Sequence, residues 1–194
     1  ERWSQRRFRK KGCVREEARD SQQPEMDIVN RMTQMYRSMK EADEAYDDSL
    51  TSRSGLSGKN GKKMADYAAT HKCMCGKFGG AVMARAIKMA ESNACMKRIV
   101  AAPTAGSCGV VPAILITYER MTNTSENDMV KALFVAAGIG DVIARRASIS
   151  GARGGCQAEI GASSAMAAGA LAWLKSGSSQ VGGQAVLGRQ DSLP

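Results

Sequence analysis

Two stretches of this chain place a cysteine inside a glycine-rich turn just ahead of a helical pattern. They are Thr104-Ala-Gly-Ser-Cys108-Gly109 before Val110, and Ser150-Gly-Ala-Arg-Gly-Gly-Cys156 before Gln157. A glycine-rich turn that opens a helix leaves backbone N–H groups unpaired beside the positive end of the helix, a natural seat for a carboxylate or phosphate. A thiol near a helix N-terminus is eased toward its thiolate, the form that ligates metals, so Cys108 and Cys156 are both candidate ligands on this reading. Neither turn ends in Gly-Lys-Ser/Thr, and neither shows G-x-G-x-x-G behind a clear strand, so two tight structural turns remain the plain alternative. His71-x-Cys73-x-Cys75 is a weaker metal candidate, because zinc normally takes four ligands and Cys-x-Cys is not the finger spacing. His71 is the only histidine and no nucleophile-elbow sequence accompanies it, which leaves a Ser-His-Asp hydrolase little to build on. Cys13 and Cys95 read as incidental or buried thiols.

The elements that must position these turns read as helices. Met26, Val29, Met32, Met35, Tyr36 and Met39 recur at three- and four-residue steps, predicting a helix with that face inward. TSRSGLSGKNG, residues 51–61, is a loop by composition, followed by a short helix from Lys62 to about Ala69. A second helical pattern runs through Val82, Met83, Ala86, Ile87 and Ala90 to about Lys97. Residues 99–118 carry no formal charge, but Pro103, Gly106, Gly109 and Pro112 argue against a membrane span. A buried loop leading into a helix with Pro112 in its first turn is the better reading, with a strand at 110–116 still open. Ser125 is placed to cap a helix over Glu126 to Arg145, whose acidic first turn suits that end. Residues 147–161 predict a glycine-rich loop feeding an Ala/Ser/Gly-dense helix from Ala162 to Leu174, with Met166, Leu171 and Trp173 as its larger contacts.

The chain of 194 residues with 43% hydrophobic residues suffices for one domain with a sizeable core. Twenty glycines and only 5% aromatic residues predict an interior of small side chains at close backbone approach. Six cysteines without a secretory signal pattern point to reduced thiols and a cytoplasmic setting. The formal charge of +9 is concentrated at the start, where Arg2, Arg6, Arg7, Arg9, Lys10, Lys11, Arg15 and Arg19 outnumber the acids. Residues 1–23 accordingly predict a basic disordered tail, and residues 176–194 a second flexible tail. Trp3 and Phe8 offer bases a stacking surface, yet no nucleic-acid-binding module follows. Neither nucleic acid nor membrane is expected as a partner.

Three strings then become familiar: SRSGLSG (52–58), RIVAAPTAGSCGVVPAIL (98–115) and ASISGARGGCQAEIGASSAMAAGALA (147–172). They closely resemble the catalytic alpha part of bacterial iron-sulfur-dependent L-serine dehydratase over roughly residues 26–175. The resemblance implies an all-α catalytic domain over 24–175, a 4Fe-4S cluster held by cysteines, and deamination of L-serine to pyruvate and ammonia. It matches Cys156 to a cluster ligand. Thr104, Gly106, Ser148, Ser150 and Gly151 fall at positions it assigns to substrate binding, while Cys108 lies in the substrate-side loop and is not a ligand. The resemblance leaves the general base unassigned.

The family's other ligand cysteines belong to a later segment that does not appear in this sequence, and its Ser/His-bearing beta part is also absent. A C-terminally truncated alpha chain completed by a beta chain, with self-association through uncovered apolar surface, is the expectation. A catalytically inactive helical fragment or interaction domain is the alternative.

Overall fold

The computed structural model describes residues 10–70 and 73–177, and their side chains from Val14 onward. Among these residues every regular element is a helix: α1 Lys10–Asp20, α2 Glu25–Glu44, α3 Asn60–Ala69, α4 Gly76–Ala94, α5 Val110–Thr122, α6 Glu126–Arg146 and α7 Gly151–Ser176. The expected all-α class is observed. The apolar run after Gly109 is helical, with Pro112 in the first turn, where its missing N–H has no intrahelical role. His71, residues 1–9 and residues 178–194 lie outside the described residues, as does the side chain of Cys13. Two compact units emerge, one from Glu1–Tyr36 with Ser125–Pro194, the other from Arg37–Thr124.

The first unit is organised on α6. Ser125 caps it by accepting from the Asp128 N–H, as its sequence position suggested. Met129, Val130, Leu133, Phe134, Val135 and Ile139 are all buried, so α6 is apolar nearly all round, the signature of a core helix. Helix α7 packs against it. The sulfur of Met166 lies 2.9 Å from where a Cβ on Gly140 would stand, so glycine there makes the notch that the thioether fills. Helix α1 also packs on α6 and buries Val14, which corrects the expectation of a disordered tail through residue 23. The apolar content of α1 is too sparse to show a period, and among its described side chains Val14 is the buried apolar one. Between α1, α2 and α6 lies a cleft of about 230 Å³, with Ile28, Met32 and Phe134 among its walls and Glu16, Asp20, Asp141 and Arg145 also lining it.

The methionine-rich face of α2 needs a correction too. Ile28, Tyr36, Met39 and Ala42 are buried, whereas Met26 is 68% and Met35 45% exposed. The buried stripe follows the helical repeat from Ile28, and thioethers off that stripe tolerate water. Met74 and Met96 are exposed as well, while Met39, Met89 and Met129 sit in the interior.

In the second unit, α3 packs on α4 and α4 on α5. Its organising group is the Glu91 carboxylate, 4% exposed in the last turns of α4. Glu91 Oε1 accepts from the Asn60 N–H at 2.7 Å. Oε2 accepts from the Gly61 N–H at 3.0 Å and from the Tyr46 hydroxyl at 2.7 Å. One side chain thus holds the start of α3 and the segment after α2. A second polar knot joins three helices: Asp43 of α2 accepts from Arg85 Nε of α4 at 2.7 Å, and Arg85 Nη1 donates to Thr117 Oγ1 of α5 at 2.6 Å. Arg120 closes on the other Asp43 oxygen at 3.4 Å.

Burial alone would raise the Glu91 carboxyl, but the hydrogen bonds from Tyr46, Gly61, Asn60 and Gly58 outweigh it and leave the group below its ordinary range. Burial, reinforced by Glu91, pushes Tyr46 up to about 12. A depressed carboxylate stabilises the fold above its unfolded-state pKa, and that contribution fades as pH falls through the lower native value. A raised phenol stabilises below its unfolded value of 10.0, and that contribution fades as pH rises toward about 12. Glu91→Gln removes an ionised acceptor from three donors and is expected to cost about 2 kcal/mol. The corresponding fall in Tm is roughly 4–8 °C. It should also flatten the stability profile at both acid and alkaline ends, as followed by thermal unfolding across pH.

Candidate functional site

The loop that opens α5 belongs to the Arg37–Thr124 unit and is tied down by short contacts. Thr104 Oγ1 and Ser107 Oγ are 3.0 Å apart, the Cys108 N–H donates to the Ala105 carbonyl, and Asn93 Nδ2 of α4 donates to that same carbonyl at 3.0 Å. Gly106 is exposed at the tip, whereas Ser107, Cys108 and Gly109 are buried. A Cβ at Gly109 would come within 2.6 Å of the Ala86 carbonyl oxygen, so α5 starts where only glycine lets its backbone meet α4.

This placement overturns the expectation that Cys108 carries an eased thiolate. Its side chain is 1% exposed, and burial pushes the thiol up rather than down. The helix start is present, but an anion is disfavoured without solvent or a cation beside it. Cys108 is a small apolar residue of the core.

The second turn belongs to the other unit and places Ser148, Ser150 and Gly151 at the start of α7, with Cys156 further along that helix. Ser150 is extended, and its Oγ accepts from the Ala152 N–H at 3.2 Å while its carbonyl accepts from Arg153 and Gly154. The Ser148 hydroxyl sits between the Ser150 N–H, from which it accepts, and the Ser150 carbonyl, to which it donates. Because Ser150 is so good a cap, the helix begins at Gly151, ahead of the start near Ala162 that the glycine content suggested. The glycines act inside it instead. Gly155 adopts φ 76° and ψ 172°, which breaks α7 into two helical pieces, and Cys156 follows directly with an exposed thiol.

A carboxylate that the sequence reading passed over also reaches this turn. Glu159 Oε2 lies 2.8 Å from where a Cβ on Gly151 would stand. The signal was its position three residues beyond Cys156, which places both on neighbouring faces of one helix.

Residues 10–187 match the family model for the serine dehydratase alpha chain. The chain belongs to this family. Within the serine dehydratase alpha chain family, it is 35% identical over 173 residues to the probable L-serine dehydratase alpha chain of Bacillus subtilis, covering 89% of this chain and 58% of that one. It is 43% identical over 116 residues to the L-serine dehydratase alpha chain of Peptoniphilus asaccharolyticus, covering 60% and 40%. With L-serine dehydratase 1 of Escherichia coli it shares 44% over 110 residues, covering 56% and 24%. These matches thus span less than two thirds of each relative's length. No solved structure matches significantly.

The site also bears on what this chain can ligate. Among the described residues no group of three or more His, Cys, Asp or Glu side chains is close enough to hold a metal ion. Cys156 offers one exposed thiol, and the described residues do not by themselves fit a cluster. Cys73 and Cys75 lie in the other unit, and His71 falls outside the described residues. No described helix is long and apolar enough to cross a membrane.

Exposure sorts the thiols by reactivity. Brief alkylation of the folded chain should modify Cys156 and Cys75 and spare Cys108, which becomes reactive only on unfolding, as read by peptide mass spectrometry. Modification of Cys108 at the same rate as Cys156 would contradict its burial.

Proposed function

We propose that this chain is a component of an L-serine ammonia-lyase that converts L-serine to pyruvate and ammonia. The observation that carries the reading is the exposed Cys156 immediately after the Gly155 kink, in a chain of the serine dehydratase alpha family. On this reading Cys156 contributes one ligand to a 4Fe-4S cluster, and the other ligands come from outside the described residues. Such a cluster supplies Lewis acidity toward an oxygen leaving group, which a β-elimination of hydroxide requires. The name alpha chain on two relatives supports a beta chain as partner, and the exposed thiol suits a reducing, cytoplasmic setting.

The chain's own residues would hold the substrate. Around Gly151, the Ser150 hydroxyl, which accepts from the Ala152 N–H and keeps its own hydrogen to donate, is the proposed contact to the substrate carboxylate at the positive end of α7. Thr104 and exposed Gly106 belong to the other unit, and a substrate role for them is a separate proposal that rests on the family motif alone. Loss of water from serine yields an aminoacrylate, which tautomerises to an imine and hydrolyses to pyruvate and ammonia without further help from the protein.

A second reading, a helical interaction domain without lyase chemistry, is favoured by the lack of a complete ligand group among the described residues. One experiment separates the two. The chain is assembled with a family beta chain and a C-terminal segment bearing the remaining cysteines, reconstituted anaerobically, and assayed for iron, acid-labile sulfide and pyruvate. Cluster-dependent pyruvate formation, lowered at least 100-fold together with iron content by Cys156→Ser, is the expected result. A fully loaded assembly that forms no pyruvate would sink the enzymatic reading.

A further inference from the structure

The cleft between α1, α2 and α6 has no part in the lyase reading, and every residue that lines it belongs to one unit. Helix α6 presents Ala137 and Gly138 to it, residues with too little side chain to fill the space beside Phe134. Helix α2 contributes Ile28, Met32 and Met35, the last 45% exposed. A space of about 230 Å³ with such walls admits the apolar body of a small molecule. It is too small for a helix of a partner, which is about 10 Å across.

The rim carries one sign of charge in excess. Glu16, Glu17 and Asp20 of α1 and Asp141 of α6 line the cleft together with two guanidiniums, Arg31 and Arg145. Both guanidiniums already have an acceptor, since Arg145 Nε donates to Asp141 at 2.8 Å and Arg31 Nη1 to the Gln23 side chain at 2.9 Å. Glu17 and Asp20 also stand in the last turn of α1, where the helix dipole is negative and disfavours an acid. Arg19 shares that turn but does not line the cleft. A cation entering the cleft relieves both the excess charge and the opposed dipole, whereas an anion adds to both.

From these walls and this rim we propose that the cleft binds a small organic cation, a primary ammonium on a short aliphatic chain. The ammonium donates to the Glu17 and Asp20 carboxylates, the stronger, charge-assisted kind of hydrogen bond. The hydrocarbon lies along Met32, Met35 and Phe134, where thioethers adapt to its shape. The inference is independent of the lyase reading.

The test titrates the full chain with three probes that share one apolar body and differ in the head group, n-hexylammonium, 1-hexanol and hexanoate, followed by saturation-transfer NMR. Hexylammonium should bind at least ten-fold more tightly than hexanol, and hexanoate no better than hexanol. Raising the ionic strength from about 0.01 M to about 1 M shortens the screening length from about 30 Å to about 3 Å and should shrink that advantage. The double variant Glu17→Gln, Asp20→Asn, at two exposed positions, should abolish it while leaving hexanol binding within two-fold. Ala137→Leu, whose side chain grows into the cleft from an exposed position on α6, should weaken both hexylammonium and hexanol. Equal binding of the three probes, no binding of hexylammonium, or an advantage untouched by salt or by the double variant would each overturn the assignment. Tighter binding of a blocked lysine, Nα-acetyl-lysine amide, than of hexylammonium would give the cleft to a protein partner and overturn it as well.

Discussion

A carboxylate taken out of water has to be met by donors or it will not stay charged, and Glu91 meets that condition with backbone as well as side chain. Its oxygens take the first N–H groups of α3 and the Tyr46 hydroxyl, so a group on α4 fixes where another helix begins. Two residues further on, Asn93 reaches in another direction and holds the Ala105 carbonyl of the loop before α5. The end of α4 is thus a bracket between the SRSGLSG segment and the PTAGSCG segment. Losing one buried partner there leaves several donors unsatisfied at once, a penalty larger than the worth of any single bond.

The bracket also shows what was readable from sequence and what was not. Helix periodicity located α2 and α4, the loop composition of residues 51–61 placed α3 after it, and Ser125 announced its own role as the cap of α6, because those signals are local. Which face of α2 is buried was misread, since methionine fits both a core and a wet surface and Ile28 alone carried the deciding register. Glu91 gave no warning. An acid in a helical pattern is normally solvated, and only the arrival of the α3 backbone thirty residues away in sequence makes this one internal.

The candidate site divides along the same line. Glycine-rich composition marked both cysteine turns, but composition is blind to solvent, and solvent separates Cys108 from Cys156. Cys108 lies under a helix start pressed onto the Ala86 carbonyl, whereas Cys156 stands in an exposed stretch of α7 directly after the kink at Gly155. The resemblance matched Cys156 to a cluster ligand, and nothing in its motif told that this thiol is exposed while that of Cys108 is enclosed.

The distribution of sulfur has a practical consequence for anyone who purifies this protein in air. Cys75, Cys156, Met74 and Met96 face solvent, while Cys108, Met39, Met89 and Met129 are enclosed. Oxidation to sulfenic and sulfinic acids or to sulfoxides will therefore begin at the surface, with Cys156 among the first sulfurs reached. The enclosed sulfurs, which hold the helices together, are spared. A sample aged in oxygen can keep its circular dichroism and its melting curve while losing the thiol on which its chemistry is proposed to depend.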